Sequence, residues 1–129
     1  MKPRVLYIED NEQNFYLVHY ILSARGFEVR RARDGREGLQ ATAEGSFDLI
    51  LLDIQLPVLD GYAVARALRE KEDLRSIPIV ALTSYAMPGD REKALESGCT
   101  GYLEKPIDPA TFAQSIEGYV RKAPEVIDP

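Results

Sequence analysis

At 129 residues the chain has the length of one modal domain and no room for a second core. A composition of 45% hydrophobic and 29% charged residues excludes a wholly disordered, collagen-like or membrane-spanning chain. The net charge of −5 argues against non-specific binding of phosphate backbones, and a single cysteine, Cys99, excludes a disulfide framework or a multi-cysteine metal site. The opening Met1-Lys2-Pro3-Arg4-Val5 lacks the long apolar stretch of a secretory signal, so a cytoplasmic location is expected.

Strand-like apolar runs alternate with helical patterns. Val5 to Ile8 is short and apolar and ends abruptly in Glu9-Asp10. Residues 11–25 have helical spacing at Phe15, Val18 and Leu22, with Gly26 as the stop. Phe27 to Ala32 reads as a charged edge strand. Asp34 caps a short helix to Ala43, with Glu37 three residues on in a box-like arrangement. The unbroken run from Phe47 to Asp53 fits a central parallel strand covered on both faces. A loop containing Pro57 and Asp60-Gly61 follows, the latter pair read as turn chemistry, and then a helix from Tyr62 to Glu70 with Val64, Ala67 and Leu68 inward. Ile77 to Leu82 is a further buried strand, Asp90 to Ser97 a short helix closed by Gly98, and Gly101 to Glu104 a last strand. Asp108-Pro109 starts a final helix with Phe112, Ile116 and Val120 on its inner stripe. The domain is expected to span 1–122, with 123–129 as a flexible tail.

Roughly five β/α units imply an α/β fold, an open, doubly wound parallel sheet with helices on both faces. Right-handed crossovers put every strand's carboxyl end on one edge. Glu9, Asp10, Asp53, Thr83, Ser84 and Lys105-Pro106 all follow or close strands there, where such sheets bind ligands. Three carboxylates brought together repel one another, and a divalent cation resolves the repulsion. Magnesium takes oxygen ligands, with Asp10 and Asp53 as natural direct ligands and Glu9 reaching it directly or through water. An aspartate so screened can attack a phosphoryl group and form an acyl phosphate. The metal, Lys105 and the Thr83 hydroxyl would meet the charge on its oxygens.

The segments Val5-Leu6-Tyr7-Ile8-Glu9-Asp10-Asn11, Asp53-Ile54-Gln55-Leu56-Pro57-Val58-Leu59-Asp60-Gly61, Ala81-Leu82-Thr83 and Tyr102-Leu103-Glu104-Lys105-Pro106 together resemble the receiver domain of two-component response regulators, across residues 4–121. The Glu-Asp-Asn opening is similar to stand-alone receivers and to those of hybrid sensor kinases. The resemblance implies a flavodoxin-like (βα)5 domain with five parallel strands in the order 2-1-3-4-5. It implies Asp53 as phosphoacceptor from a phosphohistidine on a sensor histidine kinase or histidine phosphotransfer protein. Mg2+ (or Mn2+) would be held by Glu9, Asp10, Asp53 and the backbone carbonyl of Gln55, and Lys105 would contact the phosphoryl oxygens. The Lys105–Pro106 bond is expected to be cis. Thr83 and Tyr102 would be the switch residues, Tyr102 turning from exposed to inward, and the fourth helix, fifth strand and fifth helix the output face.

Other residues read more plainly. His19 is an exposed helical residue, Cys99 a small filler near a helix end, and the Arg30–Arg33 run a solvated edge. Glu9 stands where the family often has aspartate. Bulky Tyr85, two residues beyond Thr83, is expected to hinder attacking water and prolong the phosphorylated state. A magnesium-dependent aspartyl-phosphate hydrolase is the enzymatic rival, but Asp10 is followed by Asn11-Glu12 where such enzymes have Asp-x-Asp. A flavin module would need a Ser-, Thr- or Gly-rich phosphate loop, which Glu9-Asp10-Asn11-Glu12 is not. Met1 and the short tail favour a stand-alone protein over an excised receiver of a hybrid kinase. The short stretch after the last helix leaves output to protein contact and not to nucleic acid. The expectation is a switch with self-phosphorylation and slow autodephosphorylation, not an enzyme acting on a separate substrate.

Overall fold

The computed structural model describes residues 2–55, 60–83, 88–105 and 107–122. In chain order these form β1 (Arg4–Ile8), α1 (Glu12–Ser23), β2 (Glu28–Ala32), α2 (Gly35–Glu44), β3 (Leu49–Asp53), α3 (Gly61–Glu70), a 3-10 turn (Glu72–Leu74), β4 (Ile79–Thr83), α4 (Asp90–Glu96), β5 (Gly101–Glu104) and α5 (Pro109–Lys122). All neighbouring strands pair in parallel, in the order β2-β1-β3-β4-β5. This is the doubly wound, flavodoxin-like arrangement expected. The order reverses between β1 and β3, the point at which such sheets open a crevice.

Side chains alternate across each strand, and the alternation builds two cores. Val5, Tyr7, Leu49, Leu51, Val80 and Leu82 face α1 and α5, meeting Val18, Leu22, Phe112 and Ile116. Leu6, Ile8, Ile50, Leu52, Ile79 and Ala81 face the other layer, meeting Ala41, Val64, Leu68 and Ala94. The strands β1, β3 and β4 are buried almost throughout, as continuous apolar runs in a doubly covered sheet should be. By contrast β2 alternates exposed and covered residues, as an edge strand does.

Helix starts follow from capping side chains. Asn11 Oδ1 accepts from the Asn14 N–H (2.8 Å), Asp34 Oδ1 from Glu37 N–H (2.9 Å) and Asp60 Oδ1 from Ala63 N–H (2.9 Å). Glu37 reaches back to the Arg33 N–H (2.8 Å), one residue before the cap, so the box is displaced by a position. Asp60 is thus the start of α3 and not only a turn residue. Gly98, at φ +105°, ends α4 in the left-handed region that favours glycine.

Three strands begin later than their apolar runs. The Phe27 N–H bonds back to Leu22 O (3.0 Å), closing α1 before β2 can begin. Ahead of β3 the Arg4 N–H is taken by the Asp48 carboxylate (2.7 Å) and not by a backbone carbonyl, and Ile77 N–H is taken by Leu74 O in the turn after α3. That turn escapes periodicity because three residues are too few to show one. Arg69 holds it, donating to Leu74 O (2.6 Å), Ile77 O (2.7 Å) and Gly98 O (2.7 Å). On α3 the fully buried alanine is Ala65, while Ala67 is half-buried. On α1 the outer face carries exposed Tyr16, Leu17 and Tyr20. Among the described residues no helix is long and apolar enough to cross a membrane.

Gly61 packs against the backbone just beyond β3. A Cβ there would lie 2.5 Å from Ile54 Cα and 2.8 Å from Asp53 O, atoms that cannot step aside as a flexible side chain can. Gly61→Ala is therefore expected to lower the urea midpoint, with a loss of about 1–3 kcal/mol. An unchanged midpoint would show that α3 can shift freely.

Candidate functional site

The parallel register carries the strand ends to one edge. Ile8 lies opposite Leu52, Asp53 opposite Leu82, and Thr83 opposite Glu104. Glu9 prolongs β1, its N–H on Ala32 O at 2.9 Å, and Lys105 prolongs β5, its N–H on Thr83 O at 2.7 Å. The residues expected to converge do so. Carboxylate oxygens of Glu9, Asp10 and Asp53 lie within 4.8 Å of one another. Lys105 Nζ stands 3.2 Å from Glu9 Oε1 and 3.8 Å from Asp53 Oδ2.

Burial divides the three acids. Glu9 is 1% exposed and Asp53 4%, whereas Asp10 is open to solvent. Each buried carboxylate has its own donors. Asp53 Oδ1 accepts from the Gln55 N–H (2.9 Å). Glu9 Oε2 accepts from the Asn11 N–H (3.2 Å), and Oε1 from the Tyr7 hydroxyl (2.6 Å) as well as from Lys105. Burial pushes the Asp53 carboxyl up to about 6, with Glu9 adding to the rise against the opposing pull of the Gln55 N–H and Lys105. Burial raises Glu9 too, but its bonds with Tyr7 and Asp53, the Lys105 charge and the Asn11 N–H outweigh that, leaving its pKa lowered.

Three carboxylates facing one ammonium make a site short of positive charge, with hard oxygen donors reachable from solvent at Asp10. Lys105, 3.2 Å from Glu9 and 3.8 Å from Asp53, brings one positive charge to the three carboxylates. These residues fit a divalent cation of the magnesium type, which favours oxygen ligands and retains waters.

Thr83 is buried at the end of β4, next to the residue paired with Asp53. Tyr102 already points inward, 9% exposed, in the core with Tyr62, Ala94 and Cys99, and its buried hydroxyl has no hydrogen-bond partner among the described residues. Burial, then the Asp90 and Glu104 charges, raise its pKa. Pro106, Tyr85 and the 123–129 tail lie outside the described residues, as do the expectations attached to them. His19 is exposed as expected, and burial pushes the Cys99 thiol up to about 11, which leaves it unreactive.

Two supporting residues were not singled out in the sequence. Tyr7 reads as one more apolar strand residue, although the two-residue strand period puts it on the same face as Glu9. Arg31 reads as part of a solvated edge. In the structure its guanidinium is instead partly buried, donating to Glu9 O (3.2 Å) and Asp10 O (2.9 Å) while lying 5.6 Å from the Phe15 ring centre.

Fold and pocket together define a doubly wound α/β domain with an acidic crevice at its switch point. The chain belongs to the response regulator receiver domain family of two-component signalling, which matches residues 5–117. It is 42% identical over 123 residues to the polar-differentiation response regulator DivK of Brucella ovis, covering 95% of this chain and 100% of that protein. It is similar to the receiver domain of sensor histidine kinase PA1611 from Pseudomonas aeruginosa PAO1, solved with magnesium in its active-site cleft. That likeness has a TM-score of 0.87, 34% identity, and coverage of 95% and 100% of the two chains. The chemotaxis protein CheY4 of Vibrio cholerae is similar at a TM-score of 0.88 and 30% identity, over 92% and 99% of the chains. The chain is thus a signalling domain, and its acidic cluster stands in the place where receiver domains bind Mg2+.

A carboxyl whose folded pKa lies above its ordinary 3.8 removes stability as it ionises, so Asp53 should cost the metal-free protein stability as pH rises from 3.8 through about 6. At neutral pH in a chelator, Asp53→Asn is expected to raise the thermal midpoint, by the equivalent of up to about 3 kcal/mol. Mg2+ should narrow the gap by stabilising the native chain more than the variant. A lower midpoint for Asp53→Asn in chelator would contradict this account of the cluster.

Proposed function

We propose that this chain is a phosphorylation-dependent switch whose Asp53 accepts a phosphoryl group from a phosphohistidine of a sensor histidine kinase or histidine phosphotransfer protein. The observation that carries the reading is the meeting of Glu9, Asp10 and Asp53 within 4.8 Å beside Lys105. Asp10, Asp53 and the Gln55 carbonyl would hold the divalent ion, with Glu9 bound directly or through water. When bound, the ion neutralises carboxylate charge and draws electron density from the phosphoryl oxygens.

An Asp53 carboxylate oxygen attacks phosphorus. The new O–P bond forms as the N–P bond breaks, and the imidazole leaves with that electron pair. Lys105 supports the step from its present place, 3.8 Å from Asp53 Oδ2, where its ammonium can turn to the incoming oxygens. Thr83, at the end of the neighbouring strand, supplies a hydroxyl to the phosphoryl group after transfer.

The phosphoryl group adds charge and acceptor oxygens, and so favours the arrangement in which Thr83 and Lys105 reach it. Tyr102 is the second switch residue, and its inward ring is the position that such an arrangement would hold. Output would pass through α4, β5 and α5 to an effector protein. The receiver unit is taken as 1–122, acting in the cytoplasm.

Incubation with Mg2+ and acetyl phosphate should add the mass of one phosphoryl group to Asp53 in the native chain and none in Asp53→Asn. Removal of the divalent ion by a chelator should abolish the addition. Thr83→Ala is expected to take the label yet lose the phosphorylation-dependent shifts of β5 amides in NMR spectra. Label persisting in Asp53→Asn would sink the assignment, and steady turnover of phosphate esters by the native chain would favour the hydrolase reading.

A further inference from the structure

The Tyr7 hydroxyl lies outside the set of groups that meet the phosphoryl donor, yet it makes a short contact in the pocket. It donates to Glu9 Oε1 at 2.6 Å, and Lys105 Nζ shares that oxygen at 3.2 Å. Both Tyr7 and Glu9 are shut off from solvent, at 0% and 1% exposure. Bulk water therefore does not stand beside the Tyr7 hydroxyl as a ready substitute for it.

Lys105 has two tasks in conflict. It balances the buried Glu9 carboxylate before transfer, and it must turn toward the phosphoryl oxygens during transfer. A buried carboxylate that loses its cation keeps its charge only where another donor remains, because an unsatisfied buried charge is costly. Asn11 N–H holds the other oxygen, Oε2, so among the described residues Tyr7 is the donor left on Oε1.

The phenol is held in place for this. Its ring stacks on Phe15, with centres 6.2 Å apart and planes at 28°. Phe15 lies beneath the Arg31 guanidinium, which donates to the carbonyls of Glu9 and Asp10. Tyr7 and Arg31 are register partners across β1 and β2, so edge strand, helix and acidic loop close a ring around Glu9.

We propose that Tyr7 is a positioning residue for phosphoryl transfer: its hydroxyl keeps Glu9 satisfied and in place while Lys105 moves from Glu9 to the phosphoryl group. The inference rests on the phosphoacceptor reading of Asp53. With acetyl phosphate as donor, an Asp53 oxygen attacks phosphorus, the bond from phosphorus to the acetate oxygen breaks, and acetate leaves with the electron pair.

The test is a double-mutant cycle of Tyr7→Phe and Glu9→Gln, since the phenylalanine ring keeps the packing and the amide removes the charge to be satisfied. Its readouts are the rate of Asp53 labelling by acetyl phosphate at saturating Mg2+ and the thermal midpoint of the metal-free protein. Tyr7→Phe should slow labelling about tenfold or more in the native background and less than about threefold with Glu9→Gln, as for loss of a hydrogen bond to a charged group. Saturating Mg2+ is used because Tyr7 bonds Glu9, a residue placed beside the ion, so that a weaker hold on the ion does not enter the labelling rate. The midpoint should fall in the native background and hold with Glu9→Gln, so a Glu9→Gln chain that takes no label still reports the coupling. A native labelling rate in Tyr7→Phe, or equal losses in both backgrounds, overturns the proposal alone. A native chain that takes no label at Asp53 overturns the phosphoacceptor reading, and this inference with it.

Discussion

Gathering three carboxylates at one edge of a sheet is electrostatically unfavourable, and much of the surrounding structure relieves it. Two unit charges about 4 Å apart interact by about 4 kcal/mol at the effective dielectric of a protein surface. The parallel register forces the meeting, since β1 and β3 are neighbours and each ends in an acid. Relief comes from backbone N–H groups of Asn11 and Gln55, from the Tyr7 phenol and from Lys105, delivered by β5 from two strands away. What remains is a deficit of positive charge, left open on the Asp10 side.

The same pocket is asymmetric. Glu9 is wrapped in donors that hold its pKa down, whereas burial holds the Asp53 carboxyl up at about 6 against the pull of the Gln55 N–H and Lys105. Asp10 lies in solvent, where an incoming ion can meet it with its waters still attached. Two fully packed cores behind the strands make the platform stiff, so these differences are not averaged away by motion of the sheet. Arg31 adds stiffness where the sheet ends, tying an edge strand to the carbonyls of the acidic loop.

Much of this was legible in the chain. Short apolar runs that stop at Glu9, Asp53 and Thr83 reveal buried parallel strands, and the alternation with helices places their ends together. Capping by Asp34 and the glycine stop at Gly98 are local signals with local causes. What escaped depends on distance or on register. Arg31 meets Phe15 and the acidic loop only because β2 pairs with β1 in one particular alignment, which no run of residues displays. Tyr7 was half-legible: its spacing from Glu9 was visible, but an aromatic in an apolar run reads as packing until its hydroxyl is found on a carboxylate. The turn after α3 is specified by Arg69 reaching forward to carbonyls, a tertiary cause with no periodic trace.

One element stands apart from the stiff platform. Helix α4 has seven residues, buries only Ala94, leaves Leu95 exposed and is flanked by Gly89 and Gly98, both at positive φ. Little apolar area anchors it, and its two flanking glycines adopt backbone conformations that other residues rarely take. Opening this segment should need far less free energy than global unfolding, so its amides belong among the fast-exchanging protons of the molecule. The domain thus pairs a chemical centre seated on a well-packed sheet with a neighbouring span of chain that small forces can rearrange.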